Sequence, residues 1–229
     1  MEKFEYTLPK LIDLYKIESN TVLRGLSTYY IVNFVKMIFD AYENERTIYA
    51  CGNGGNVASV QNLVVDLNMH PFVSEDKSSK GKNRNHFKAV SLCSDQAVIT
   101  GITNDLGYDK IFKAQLEYQA EENDILFGMS GSGNSGNVVE ALKYGKSIGM
   151  KNILMTRSEN TKCDDYADLV LRLTGTSKFP GQTGGNNNNF HYEDCISKVT
   201  HMAVGLLKEK VQNENWPKCI KKKGYRYGS

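Results

Sequence analysis

Cys51-Gly-Asn-Gly-Gly-Asn-Val-Ala-Ser-Val60 decides how this chain folds, and it is answered downstream by Met129-Ser-Gly-Ser-Gly-Asn-Ser-Gly-Asn-Val138. Each run follows a short apolar stretch with strand character and opens a helical pattern. Gly52, Gly54 and Gly55 in the first turn, and Gly131 and Gly133 in the second, let the backbone turn sharply and approach a ligand. A helix that starts directly after such a turn offers unpaired N–H groups and the positive end of its dipole to an anion. Ser130, Ser132 and Ser135 add hydroxyl donors to the second turn. The pair of turns predicts a phosphorylated small molecule as ligand; two ordinary strand-to-helix turns are the plainer alternative.

Spacing separates the nucleotide readings. Neither turn contains Gly-x4-Gly-Lys-Ser/Thr, so the phosphate-binding lysine of a P-loop is missing. The dinucleotide fingerprint Gly-x-Gly-x-x-Gly fails at Val57, where its third glycine belongs. No nucleotide cofactor is expected. The serine-lined second turn suits a single monophosphate.

Working outward, strand patterns at 47–51, 87–92, 124–129, 152–155 and 169–173 alternate with helical patterns at 56–67, 95–102, 109–119 and 135–148. This order predicts an α/β fold, a doubly wound parallel sheet flanked by helices, with ligands beyond the carboxyl ends of the strands. Helices at 7–17 and 21–43 precede it as an N-terminal pair packing on the core or a partner subunit, and a helix at 192–210 closes it. The chain thus divides into a helical extension (1–45), an α/β domain (46–215) and a basic tail (216–229). Two polar segments, 74–88 and 175–189, interrupt the alternation as solvated loops or lids.

With 229 residues, 40% of them hydrophobic, the chain can bury a sizeable core. A net charge of +2 is too small to argue for nucleic acid. No apolar run approaches the ~20 residues of a membrane span, and Met1-Glu-Lys-Phe-Glu5 lacks an apolar secretory region. Neither nucleic acid nor membrane is expected as a partner, and residence is expected to be cytoplasmic. Five scattered cysteines without a Cys-x2-Cys pair indicate reduced thiols and no thiolate zinc site. His70, His86 and His191 read as surface or loop histidines.

The combined motifs resemble the sugar isomerase (SIS) domain family, and within it the phosphoheptose isomerases. The resemblance rests on the leading helical pair, Cys51-Gly-Asn-Gly-Gly55, Ser94-Asp95, Thr103-Asn-Asp-Leu-Gly-Tyr108, Ser130-Gly-Ser-Gly-Asn-Ser135 with Asn137-Val138, and a closing helix bearing a histidine. It implies interconversion of a ketose phosphate and an aldose phosphate through an enediol, in a homotetramer with sites at subunit interfaces. Phosphate binding carries over to Ser130, Ser132 and Ser135, with Gly131 standing where the family often has threonine. Asn53, Gly54, Gly55, Asn56, Asp95, Asn104 and Asp105 fall at positions near the substrate, and Asn56 replaces a usual serine.

The family's catalytic quartet is altered. Its histidine and glutamate on the first helix are Asn62 and Asp66 here, and its glutamine and histidine on the closing helix are Glu193 and His201. The resemblance implies Asp66 as base and His201 as acid, with Glu193 also facing substrate. Zinc accompanies the quartet in some members. A divalent metal at Asn62, Asp66, Glu193 and His201 would be held by donors that favour a harder cation than zinc. A catalytically silent phosphosugar-binding protein is the alternative these substitutions leave open.

Overall fold

Residues 7–74, 76 and 86–212 are described by the structure, a computed structural model. Five strands, Thr47–Gly52 (β1), Lys88–Ser91 (β2), Ile125–Met129 (β3), Lys151–Thr156 (β4) and Leu169–Arg172 (β5), pair in parallel in the order β2-β1-β3-β4-β5. The central strands are buried almost throughout, as expected for a parallel sheet covered on both faces. Among the described residues seven helices flank it: Leu8–Gly25 (α1), Thr28–Glu43 (α2), Gly55–Met69 (α3), Gln96–Leu106 (α4), Lys113–Gln119 (α5), Gly136–Ser147 (α6) and Asn189–Gln212 (α7). None of the described helices is long and apolar enough to cross a membrane.

From β1 the chain first runs to β2 on one side, then returns across β1 to β3 on the other. The winding therefore reverses between β1 and β3, and such a switch point opens a crevice at the carboxyl ends of the strands. Gly52 pairs in register with Met129. The two glycine turns consequently leave the sheet side by side.

The opposite end of the sheet is tied by carboxylates. Asp124 accepts from Thr47 N at 2.8 Å and Glu121 N at 2.9 Å, and Asp168 accepts from Asn152 N at 2.7 Å. The outer edge of β2 is closed by Asn68, whose side chain both donates to Ala89 O and accepts from Ala89 N, each at 2.9 Å. That pairing mimics a neighbouring strand and blunts an edge that could otherwise recruit one. In the core, Phe34 of α2 packs on Phe127 of β3 with ring centroids 5.2 Å apart. The buried Tyr192 of α7 donates its hydroxyl to Met155 O at 3.0 Å. Cys51, Cys93, Cys163 and Cys195 are free and buried, and burial pushes the Cys163 thiol up to about 12, which leaves it unreactive.

Two expectations are corrected and a third is narrowed. The break between the first two helices falls at Leu26 and Ser27, not at 18–20: both residues are extended, and Ser27 Oγ accepts from Tyr29 N to cap α2. The predicted helix at 109–119 is a 3-10 turn, Tyr108–Lys110, followed by α5. The segment 175–189 is exposed at most positions but anchored to the core at a few. Gln182 and Asn188 are buried; Gln182 Oε1 accepts from Phe190 N at 2.7 Å, and Asn188 donates to Leu173 O at 3.0 Å. Of the loop at 74–88, residues 75 and 77–85 lie outside the described residues, as does the tail at 216–229.

The 175–189 segment is clamped by α1. Glu18 accepts from Lys178 N at 2.8 Å, Ser177 Oγ at 2.6 Å and His191 Nε2 at 3.0 Å. His191, expected at the surface, is fully buried at the start of α7. Burial of Glu18 opposes its ionisation, but the three donors outweigh it and hold its carboxyl below the usual range. A carboxyl depressed in the folded state stabilises fully above its unfolded value, and that contribution is lost as pH falls through the folded value. Glu18→Gln should therefore lower unfolding free energy at neutral pH by about 1–3 kcal/mol. Urea melts should also show wild type losing more stability than the variant on acidification below the ordinary carboxylate range.

Candidate functional site

Of the helices that follow β1, β2 and β3, one start is capped by a side chain and two are not. Asp95 Oδ1 accepts from Ala97 N at 2.9 Å and Val98 N at 3.1 Å, so it caps α4. The N-caps of α3 and α6 are Gly54 and Ser135, and neither makes a side-chain capping bond. Both helices follow the glycine turns. Asn56 N and Val57 N turn back onto Asn53 O and Gly54 O, and Val138 N onto Ser135 O, which leaves the N–H groups of Gly55, Gly136 and Asn137 to meet a ligand.

A reciprocal amide pair locks the turns together. Asn53 Nδ2 donates to Asn137 Oδ1 at 2.8 Å, and Asn137 Nδ2 donates back to Asn53 Oδ1 at 2.9 Å. Tyr108 completes the knot by donating its hydroxyl to Asn53 Oδ1 at 2.9 Å. In the first turn Gly54 adopts φ +56, and Asn56 is buried, its Nδ2 donating to Asn53 O at 3.2 Å. Asn104 and Asp105 bond to each other at 2.8 Å on the exposed last turn of α4, near Tyr108 in sequence.

In the second turn, Ser130 and Ser135 are linked Oγ to Oγ at 3.0 Å. Ser132 is exposed, and its Oγ accepts from Asn134 N at 3.2 Å. Gly133 holds φ +63, and the side chain of Thr161 fills the space a Cβ there would need. Thr161 is fixed in turn by its N–H bond to Asp164 Oδ2 at 2.8 Å. Burial opposes charge on Asp164, but this donor and Arg172 hold its carboxyl below the usual range.

Carboxylates press on both helix starts. The Glu193 carboxylate stands where a Cβ on Gly55 would be, its Cδ 2.7 Å from that point, and accepts from Asn189 Nδ2 at 3.0 Å. Burial and this same carboxylate push the Tyr192 hydroxyl well above its ordinary range. Asp109 packs likewise on Gly136, with Cγ 2.9 Å from the Cβ position. A negative group beside a helix N-terminus is favourable.

The expected acid and base also meet. His201 Nε2 lies 3.3 Å from Asp66 Oδ2, and Asn62 Nδ2 lies 2.8 Å from the same nitrogen and 3.4 Å from Asp66 Oδ2. With the Asn62 amide as donor, Nε2 is the accepting nitrogen; turning the amide over would let Nε2–H donate. The pair is open to solvent, with side-chain exposures of 58% for His201 and 25% for Asp66. It lines a depression of about 260 Å³ with His70, Val204 and Gly205.

Glu193 stands apart from this cluster. It faces Gly55, about 12 Å along α7 from His201, while Asp66 lies about 16 Å along α3 from Gly55. Among the described residues no three of His, Cys, Asp and Glu converge to hold a metal. One imidazole, one carboxylate and an amide do not fit a zinc ion within one chain. A cavity of about 780 Å³ between α2 and β5, lined by Tyr29, Tyr30, Asp40 and Arg172, is larger but borders neither turn. The site is assigned to the turns because there the uncapped helix ends, hydroxyls and switch point coincide.

Sequence reading missed Tyr108, Asp109, Asn137, Thr161, Asn189 and Arg157. Asn137 and Tyr108 lie inside quoted motifs, and Arg157 follows the end of β4, where parallel sheets place ligands. Thr161 and Asn189 carry no local signal.

The SIS domain family matches residues 15–157 of this chain. A phosphoheptose isomerase from Vibrio parahaemolyticus is 29% identical over 181 residues, 77% of this chain and 82% of that protein. One from Chlorobium limicola is 33% identical over 177 residues, 77% and 75% of the respective chains. The solved phosphoheptose isomerase GmhA from Neisseria gonorrhoeae superposes with a TM-score of 0.73 at 22% identity, over 89% of this chain and 100% of that one.

Gly133→Ala should destabilise the protein by about 1–3 kcal/mol from backbone strain alone, with the collision against Thr161 adding to it. Adding Thr161→Gly should relieve the collision and leave the strain. Urea unfolding of the single and double variants measures both parts.

Proposed function

The chain belongs to the SIS domain family, and from that premise we propose that it is an aldose–ketose phosphate isomerase, acting on sedoheptulose 7-phosphate to give a heptose 7-phosphate. The observation that carries the reading is the second turn, an uncapped helix start lined by Ser130, Ser132 and Ser135 at the switch point of the sheet. The curated relatives named phosphoheptose isomerase support the substrate class.

In this reading the phosphoryl group sits on the α6 N-terminus and the serine hydroxyls. Asp66 takes a proton from C1 of the ketose while His201 gives one to the C2 carbonyl oxygen, leaving an enediol. Asp66 then returns its proton to C2 as the C1 hydroxyl loses its own to His201, and the aldehyde forms. Asn62, with its amide turned so that Oδ1 accepts from Nε2–H, sets the imidazole's orientation.

The phosphate turn and the Asp66–His201 pair of one chain are separated by most of the length of α3, a gap that an extended seven-carbon sugar phosphate does not span. The working site therefore joins the turn and Glu193 of one subunit to the pair of another, in a homotetramer. Val65, Met69, Met202 and Leu206, exposed apolar side chains on α3 and α7 around the pair, supply a surface for the second copy. The buried free thiols accord with a reducing cytoplasmic setting.

Purified protein given sedoheptulose 7-phosphate in deuterated water should place solvent deuterium on C2 of the product. Binding without exchange would make the chain a phosphosugar-binding protein instead. Asp66→Asn and the double variant Ser130→Ala/Ser132→Ala should each lose on the order of a hundredfold in rate. Co-assembled from equal amounts, the two inactive chains should regain activity at about one quarter of the sites, because each site draws its halves from different subunits. No recovery would place the whole site within one chain.

A further inference from the structure

Arg157 follows β4 directly, and its backbone N–H donates to Gly131 O at 3.2 Å, which seats it against the second turn. Its Nη1 donates to Asn187 O at 2.9 Å and its Nη2 to Gly185 O at 2.6 Å. Nε is buried and has no hydrogen-bond partner. That nitrogen lies 3.4 Å from the place a Cβ on Gly131 would occupy, a space it shares with Asn189 Oδ1 at 3.2 Å.

The charge of Arg157 is also uncompensated. Among the described residues it forms no salt bridge, whereas Arg172 is paired with Asp164 at 2.9 Å. Neutral carbonyls satisfy two of its groups but do not balance the charge of this half-buried cation. The nearby turns meanwhile carry the carboxylates of Glu193 and Asp109 against Gly55 and Gly136. A dianionic phosphoryl group entering beside two carboxylates needs a positive charge, and serine hydroxyls supply none.

We infer that Arg157 binds the phosphoryl group of the substrate from beneath the second turn, with Gly131 leaving the gap through which its guanidinium acts. The inference rests on the phosphosugar reading and extends it: a side chain at 131 would crowd the buried, unpartnered Nε, and glycine leaves that space unfilled. Arg157 adds charge and one directed N–H, the combination that distinguishes an anion from a neutral sugar.

Inorganic phosphate and sedoheptulose 7-phosphate, titrated calorimetrically into wild type, Arg157→Gln, Arg157→Lys and Ser132→Ala, test this, alongside melting curves with and without phosphate. Arg157→Gln should weaken both ligands roughly 10- to 100-fold and abolish the phosphate-induced rise in melting temperature. Arg157→Lys, which keeps the charge and can still reach the carbonyls, should show a smaller loss and serves if the glutamine variant does not fold. Suppose Arg157→Gln melts lower without phosphate yet keeps wild-type affinity and the full phosphate-induced rise. Arg157 is then only a tether for residues 185–187 and the inference is overturned, while weakened binding by Ser132→Ala would leave the phosphosugar reading standing. Wild type that binds neither ligand overturns both.

Discussion

The amide pair between Asn53 and Asn137 is the interaction on which the site depends. Two strands adjacent at a switch point bring their following turns near each other, but register alone leaves two independent loops. Two hydrogen bonds between short, stiff side chains, with the Tyr108 hydroxyl on the shared oxygen, make those loops one rigid rim. A half-satisfied amide there would cost more than the pair contributes, since each lost partner strands a polar atom in a part-buried place. The same bonds consume side-chain groups that could otherwise cap α3 or α6. Keeping the rim together and keeping the helix ends open are thus achieved by one arrangement.

The two ends of the sheet are built on opposite principles. At the amino ends of the strands, Asp124 and Asp168 accept backbone N–H groups and fix the strand starts. At the carboxyl ends of β1 and β3, helix starts are left without side-chain caps and carboxylates are held to one side by glycines too small to exclude them. α7 spans both regimes. Its first turn brings Asn189 and Glu193 to the glycine turns, its middle buries Ile196 and Val199 in the core, and its exposed face carries His201 to Asp66. One helix therefore displays two chemically distinct groups too far apart to act on one small molecule from the same chain. In the proposed homotetramer the two groups of one site come from different subunits.

Much of this was legible in the sequence because the signals are local. Strand-turn-helix at 51–60 and 129–138, the alternation that makes the sheet parallel, and the serines of the second turn all follow from a few neighbouring residues. The Asp66–His201 contact was reachable only through family resemblance, since nothing in either helix names its partner. What failed was non-local or compositional. Glu18-Ser19-Asn20 looks like a helix break, yet Glu18 is needed on α1 to clamp residues 177 and 178, and Ser27 caps the next helix instead. The asparagine-rich run before α7 reads as solvated, but Asn187 and Asn188 bond to Ser177 N and Leu173 O and replace absent backbone partners. Arg157 was signalled only by its place after β4; that it forms no salt bridge among the described residues is visible only in the fold.

The central claim is that the second glycine turn receives a phosphoryl group. Hydrogen–deuterium exchange of the assembled protein, with and without sedoheptulose 7-phosphate, reads this at the backbone amides themselves. The account predicts slowed exchange across residues 131–138, with the cleft between α2 and β5 unchanged. Protection in that cleft, with residues 131–138 exchanging as in the free protein, would contradict it.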